Sequence, residues 1–325
     1  MDVGAYLERI CFVGSTAPSA ASLRALHRAH VLSVPFETLS IHCGEPITLD
    51  LEKIYRKIVK ERRGGFCYEN NGLFSWLLRQ LGFQVTLCSA RVLSPFTHRY
   101  GPPFQHLMIL VKLGATDGQK CPSALPSGER QLERFVVDVG FGNGMREPLE
   151  MESGRESEQE SGTYRLRSDC PAGWWSLEEA SVEEASVEEA GGDGIQLKDV
   201  ELQPPRAGED ECWTVLYKFT TIARRFLEFS DMCQYNQTSP SSMPASKSLC
   251  TLHTPQGRVT YMGQRLTSTT VKPARNHRVR RKSKAVRELS NEEIPIVLRD
   301  VFGVVLKNPL VPKDRAIVPE ECDQF

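Results

Sequence analysis

The chain changes its hydrophobic period once, near Phe83, and that change restricts the folds open to it. Before Phe83, apolar residues recur at helical spacing. In LDLEKIYRKIVKERRGG, Leu51, Ile54, Tyr55 and Ile58 share one helix face, and Gly64-Gly65 end it. SAASLRALHRAHVLSV carries a second stripe through Leu23, Leu26 and Ala29–His30. A third helix starts near Cys67, with Leu73, Phe74, Leu77, Leu78 and Leu81 as its stripe and Gly82 as its stop. After Phe83 the runs are short and strand-like: FQVTLCSARVL, QHLMILVKL and RFVVDVGFG, bounded by Gly and Pro. Another strand-rich stretch runs from CWTVLYKFT to VTYMGQRLT. SNEEIPIVLRDVFG reads as a closing helix, with Ser290 and Glu293 at capping-box spacing. Helices followed by strands predict an α+β architecture, a helical unit feeding a barrel or sheet.

Three stretches stand outside this pattern. LGATDGQKCPSALPSGERQ is rich in turn formers and lies between two strand candidates. LEEASVEEASVEEAGGDG repeats SVEEA and is acidic and low in complexity; a solvated loop or short exposed helix is expected. RNHRVRRKSKAVR is strongly basic and reads as a solvated loop, a phosphate contact or a targeting signal.

The 40 Lys and Arg balance 41 Asp and Glu, so no general attraction to nucleic acid or an anionic membrane is expected. An anionic ligand then needs a local site. Charged residues at Asp2, Glu8 and Arg9 break the apolar core a signal peptide needs, Asp2 excludes N-myristoylation, and no run reaches membrane-spanning length. A cytoplasmic protein, and a monomer, is expected. The ten cysteines are scattered without a CxxC pair, so reduced thiols are expected and no metal site.

The densest chemistry is Arg63-Gly64-Gly65-Phe66-Cys67-Tyr68-Glu69-Asn70-Asn71. Two glycines permit a tight turn, and Cys67 then opens a helix. Free N–H groups and the helix dipole there favour a thiolate and can stabilise an oxyanion. A buried structural thiol fits the same local pattern. A reactive thiol needs a base and an orienting group. His106 opens the strand QHLMILV. Asp138 sits among Val136, Val137, Val139 and Phe141, where a carboxylate is costly to bury unless paired. If the two strands are hairpin neighbours, His106 Nδ1–H is expected to donate to Asp138 while Nε2 faces Cys67.

RRGGFCYENNGLF, PPFQHLMILV and FVVDVGFG, in that order, resemble the Cys, His and Asp motifs of the arylamine N-acetyltransferases. VPFETLSIHCGEPITLDLEKIYRKIV is similar to the family upstream. YNQTSPSSMPASKSLCTLHTPQGR and NPLVPK resemble animal-type members downstream. The resemblance implies a cysteine-proteinase-like three-part fold. Residues 1–84 would form a helical bundle carrying the nucleophile. Residues 85–210 would form a β-barrel with insertions at about 113–133 and 176–194, and residues 211–325 an α/β lid and C-terminal segment. It implies Cys67 as nucleophile, His106 as base and Asp138 as orienting acid. Acetyl-CoA is then the co-substrate, without a metal. The expected reaction is double displacement onto arylamines and arylhydrazines, with O-acetylation of N-hydroxyarylamines. Phe36, Gln105, Phe141, Asn143 and Met145 match acceptor positions beside His106. Tyr235 and Ser241 match CoA-contacting positions.

The sequence also departs from that pattern. Pro102 and Pro103 stand where animal members have a Thr-Gly contact to CoA, and proline lacks the backbone donor. The usual C-terminal serine has no match around Ile317. The connection between the His and Asp motifs is long. A cysteine peptidase or transglutaminase-like enzyme uses the same three residue types and is the competing reading.

Overall fold

The computed structural model describes residues 1–95, 97–114, 132–169, 172–189, 213–273 and 280–318. Most of the first insertion, part of the second and the start of the basic run lie outside these residues. The helices are α1 (Val3–Arg9), α2 (Ala20–Ser33), α3 (Leu39–His42), α4 (Leu51–Tyr55), α5 (Cys67–Gln80), α6 (Ser230–Thr238), α7 (Met243–Ser246) and α8 (Glu293–Phe302). The expected capping box at α8 forms: Ser290 N–H donates to Glu293 at 2.8 Å and Glu293 N–H to Ser290 Oγ at 3.4 Å.

Strands β1 (Phe36–Glu37), β2 (Gln84–Val92), β3 (His106–Leu113), β4 (Glu133–Val137), β5 (Leu149–Glu150), β6 (Glu156–Gln159) and β7 (Gly162–Asp169) come first. Then follow β8 (Trp174–Ala180), β9 (Val182–Glu189), β10 (Trp213–Phe219), β11 (Leu249–Thr254), β12 (Gly257–Met262), β13 (Arg265–Pro273) and β14 (Arg280–Glu288). One sheet runs β5-β4-β3-β2-β10-β8-β7-β6 and curls into a nearly closed barrel. A bridge between Ser153 and Leu166 ties the segment after β5 to β7. The second sheet runs β1-β11-β12-β13-β14-β9. The fold is α+β with helical, barrel and lid parts. The sheets cross the sequence divisions: β1 joins the lid sheet, and so does β9, while β10 sits between β2 and β8 in the barrel sheet.

The SVEEA run differs from expectation. It is neither loop nor helix but β9, parallel to the basic β14, with Glu183 opposite Arg281 and Glu184 opposite Lys282 in the register. An acidic segment finds its edge beside a basic one. Because β8 and β9 are separated only by Ser181, one extended segment runs from the barrel sheet into the lid sheet.

Strand β3 explains how the site is positioned. Its residues alternate between two cores. Leu107, Ile109 and Val111 pack with the helices, while Met108 and Leu110 pack with Tyr164, Tyr217 and Phe219 inside the barrel. Parity therefore sends His106 to the barrel side. In β4, Val136 faces the barrel and Val137 the helices, so Asp138 follows Val136. The β3–β4 register pairs Ile109 with Val137; continued, it sets Asp138 diagonal to His106 on the same face.

Candidate active site

The turn before Cys67 is anchored from below. Arg63 is buried and donates to Glu37 through Nε at 2.9 Å and Nη2 at 3.1 Å, and to Ser40 Oγ at 3.0 Å. Gly65 N–H donates to Pro35 carbonyl at 3.3 Å, and Glu37 N–H to Gly65 carbonyl at 3.0 Å. The glycines are needed for close approach: a Cβ at Gly64 would run into the Pro35 carbonyl. Glu69 accepts from Phe66 N–H at 3.2 Å and from Lys57 Nζ at 2.8 Å, which caps the start of α5. Cys67 is the first residue of that helix and is 7% exposed. The segment just after β4 must pass tightly over it. A Cβ at Gly140 would come within 2.9 Å of Cys67 Cα and 2.7 Å of Asn71 Nδ2.

The structure brings Cys67, His106 and Asp138 together. His106 Nε2 lies 2.7 Å from Asp138 Oδ2, both buried. This reverses the ring orientation expected from the sequence: Nε2 meets the carboxylate, and Nδ1 is left for the sulfur. His106 opens its strand, and the nitrogen farther from its backbone, Nε2, is the one that reaches Asp138 just beyond β4. Burial pulls the imidazolium down, but the Asp138 carboxylate and a hydrogen bond with Cys67 outweigh it and raise His106 to about 10. Burial likewise raises Asp138, but His106, Asn71 and Gly140 N–H hold it below the usual carboxylate value.

Asp138 is held on every side. Asn71, one turn along α5 from Cys67, donates to Asp138 Oδ1 at 2.8 Å and to Leu107 carbonyl at 2.7 Å, and accepts from Val139 N–H at 2.9 Å. Gly140 N–H donates to Oδ1 at 3.0 Å. Behind the carboxylate, His27 Nε2 lies 3.1 Å from Asp138 carbonyl and accepts from its N–H at 3.4 Å; His27 Nδ1 lies 2.8 Å from Arg146 carbonyl. Burial drives His27 down to about 4, so it is neutral. Tyr217 packs its ring 5.2 Å from that of His106. Burial and the neighbouring Asp138, by its charge and by a hydrogen bond, keep its phenol well above the usual value.

A family model described as N-acetyltransferase matches residues 19–311. An arylamine N-acetyltransferase, the pineal gland isozyme NAT-3 of Gallus gallus, is 32% identical over 96% of this chain and 97% of its own length. Arylamine N-acetyltransferase 1 of Homo sapiens is 33% identical over the same shares. The chain belongs to the arylamine N-acetyltransferase family. The solved structure of the Mycobacterium marinum arylamine N-acetyltransferase in complex with CoA has a TM-score of 0.68 and 25% identity, covering 93% of each chain. By its family the chain is an acyltransferase.

The remaining expected positions of this acyltransferase divide. Phe36, Phe141 and Met145 line one small cavity together with Asp138, Val31, Thr251 and His253. Its volume is about 10 Å³, room for a single water. An aromatic ring does not fit there unless these side chains move. Asn143 is exposed and outside that lining. Gln105 turns its side chain away, accepting from Val92 N–H at 3.2 Å, and presents its carbonyl 3.9 Å from Cys67 Sγ. Pro102 is half-buried and Pro103 exposed, on the turn leading into His106. Tyr235 lies on α6 and Ser241 just beyond it, both half-buried. Among the described residues there is no cluster of three metal-ligating side chains, and no helix is long and apolar enough to cross a membrane.

Sequence reasoning missed the placement of His27 and the hydrogen bonds of Asn71. Only Asn71 carried a signal: it stands one helical turn after Cys67 and shares its face.

Proposed function

We propose that the protein transfers acetyl groups from acetyl-CoA to arylamines and arylhydrazines through an acetyl thioester on Cys67, and acetylates the oxygen of N-hydroxyarylamines by the same route. The observation that carries this reading is the 2.7 Å contact of His106 with Asp138 behind a sulfur at the start of α5. The pair keeps a proton on His106 beside the thiolate. The thiolate attacks the acetyl carbonyl; the new S–C bond forms as the C–S bond to CoA breaks, and the departing CoA thiolate takes the His106 proton. The neutral amine then attacks the Cys67 thioester. Its proton passes to His106, the amide leaves, and the Cys67 thiolate returns. Free N–H groups at the first turn of a helix are the donors proposed to stabilise each tetrahedral oxyanion. Tyr235 and Ser241 are proposed to contact CoA, and Phe36, Phe141 and Met145 to border the acceptor. With prolines at 102 and 103, the turn before His106 offers CoA no backbone donor at those residues.

Intact mass after incubation with acetyl-CoA alone tests this. One acetyl adduct is expected on the wild type, released by an aromatic amine and absent from Cys67→Ala. No adduct, together with cleavage or transfer of a peptide amide, would establish the peptidase or transglutaminase-like reading instead.

A further inference from the structure

Tyr68 follows the nucleophile directly and is fully buried, its ring 5.1 Å from Phe66 and 5.7 Å from Phe229. Its hydroxyl lies 2.9 Å from the Phe104 carbonyl and 2.9 Å from the Gln105 carbonyl, and it accepts from Asn236 Nδ2 at 3.0 Å. One phenolic hydrogen is therefore shared between two carbonyls, and both belong to the turn that delivers His106. That turn is strained. Phe104 has φ of 62°, left-handed backbone that a bulky side chain keeps only when its surroundings force it. Its ring sits 5.3 Å from that of Phe229, with the Arg224 guanidinium 4.8 Å above its face. The Gln105 carbonyl is also the group that faces Cys67 Sγ, at 3.9 Å. A bare carbonyl dipole aimed at sulfur opposes a thiolate; a hydrogen bond donated to that carbonyl weakens its field.

We propose that Tyr68 is a positioning residue: its hydroxyl clamps the strained Phe104–Gln105 turn onto α5, so that His106 meets Cys67, and it draws the negative end of the Gln105 carbonyl away from the sulfur. The proposal rests on the acyl-transfer reading and deepens it. Asn236 is buried on α6, the helix that carries Tyr235. Through Asn236 the same hydroxyl ties α6 to the triad, so a ligand seated on α6 bears on the turn before His106. Burial, with Cys67 and Cys233 nearby, keeps the phenol well above its usual pKa, so it remains a donor throughout the working range. The titratable groups facing His106 are Cys67 from α5, Asp138 from the end of β4 and Tyr217 from β10.

Tyr68→Phe keeps the ring and removes the clamp. The test measures alkylation of Cys67 by iodoacetamide against pH, beside acetyl-adduct formation from acetyl-CoA. Alkylation at neutral pH is expected to fall about tenfold, with its acid limb displaced upward by about one pH unit. Adduct formation is expected to slow by about the same factor, with KM for acetyl-CoA changed less than about twofold. Asn236 Nδ2 also lies 3.5 Å from the Gln105 carbonyl, so Asn236→Leu both leaves the Tyr68 hydroxyl unaimed and removes this longer donor, and is expected to slow alkylation by about two- to threefold. A purely structural role would lower the melting temperature and leave the pH limb in place; that result overturns the proposal. If Tyr68→Phe does not fold, an unchanged alkylation profile in Asn236→Leu overturns it. Failure of the wild type to form an acetyl adduct would overturn the acyl-transfer reading separately, because alkylation reports on the clamp without acetyl-CoA.

Discussion

Asp138 stands between two histidines that share its burial and differ in almost everything else. His106 meets its carboxylate at 2.7 Å and is raised to about 10; His27 meets its backbone at 3.1 Å and is lowered to about 4. Both rings pack against aromatics: His106 against Phe141 and Tyr217, His27 edge-on to Phe74 at 6.3 Å. Burial alone would leave both neutral. A carboxylate in direct hydrogen-bond contact reverses the outcome for His106, whereas for His27 the backbone groups and the same charge acting without that contact do not outweigh burial. One aspartate thus separates a proton-holding pocket toward the barrel from a proton-excluding pocket toward α2. The first suits chemistry. The second fixes the aspartate's main chain.

Removing the charge should break this contrast most severely. In Asp138→Asn the amide can keep a contact with Asn71 but cannot hold the imidazolium. Acetyl-adduct formation is expected to fall by about 10³- to 10⁴-fold, as in other triads that lose this carboxylate. The His106 ring resonances, followed by NMR against pH, should then titrate far below 10. A ring still protonated near pH 10 in this variant would mean that Asp138 is not what sets its charge.

The second pocket should show itself in stability. His27→Leu leaves buried polar groups of Arg146 and Asp138 without their partner, and about 2 kcal/mol of destabilisation at neutral pH is expected. The two histidines also bend the pH profile in opposite directions. The folded-state value of His27 lies below its ordinary value of about 6.5, so its contribution is complete above that pH and drains away as pH falls toward 4. His253, lowered to about 3 by burial and then by Arg146, acts with the same sign. The folded-state value of His106 lies above the ordinary one, so its contribution is complete below about 6.5 and is lost as pH rises toward 10. Urea midpoints should therefore decline on both sides of neutrality. His27→Leu should flatten the acid limb and Asp138→Asn the alkaline limb. A limb that keeps its slope in the matching variant would detach that histidine from it.

Much of the proton-holding side was legible in the sequence, and little of its counterpart was. Cys67, His106 and Asp138 each stand in a context that makes their residue type conspicuous: a glycine turn, a strand start, an all-apolar strand. The change of period at Phe83 locates α5 and β2 because stripes of Leu and Phe leave few alternatives. What stayed hidden depends on contacts across the fold. His27 sits on an ordinary amphipathic helix, and its partner Asp138 is 111 residues away. Tyr68 and Asn236 are 168 residues apart. The direction of the His106 ring is not encoded by spacing. The acidic repeat misled for a related reason. Glu and Ala have weak strand preference, and only the neighbouring β14 makes a strand of them.

Strand β14 supplies the mildest test, because it joins opposite charges near solvent. Lys282 on β14 meets Glu179 at the end of β8 at 2.8 Å, with side chains 22% and 13% exposed. Beside Asp138 a carboxylate decides the charge of its neighbour because water is excluded; here both partners keep some water and salt screens them. Such a pair contributes about 0.5 kcal/mol. Lys282→Met, which removes the charge and keeps the stem, is therefore expected to lower the melting temperature by only about 1–2 °C for a domain of this size, and less in high salt. Acetyl-adduct formation should stay within about twofold of wild type, since β14 supplies no group to the triad. A large loss of activity would show that the segment running from β8 into β9 governs the site, and that charge at the surface and charge beside Asp138 are coupled after all.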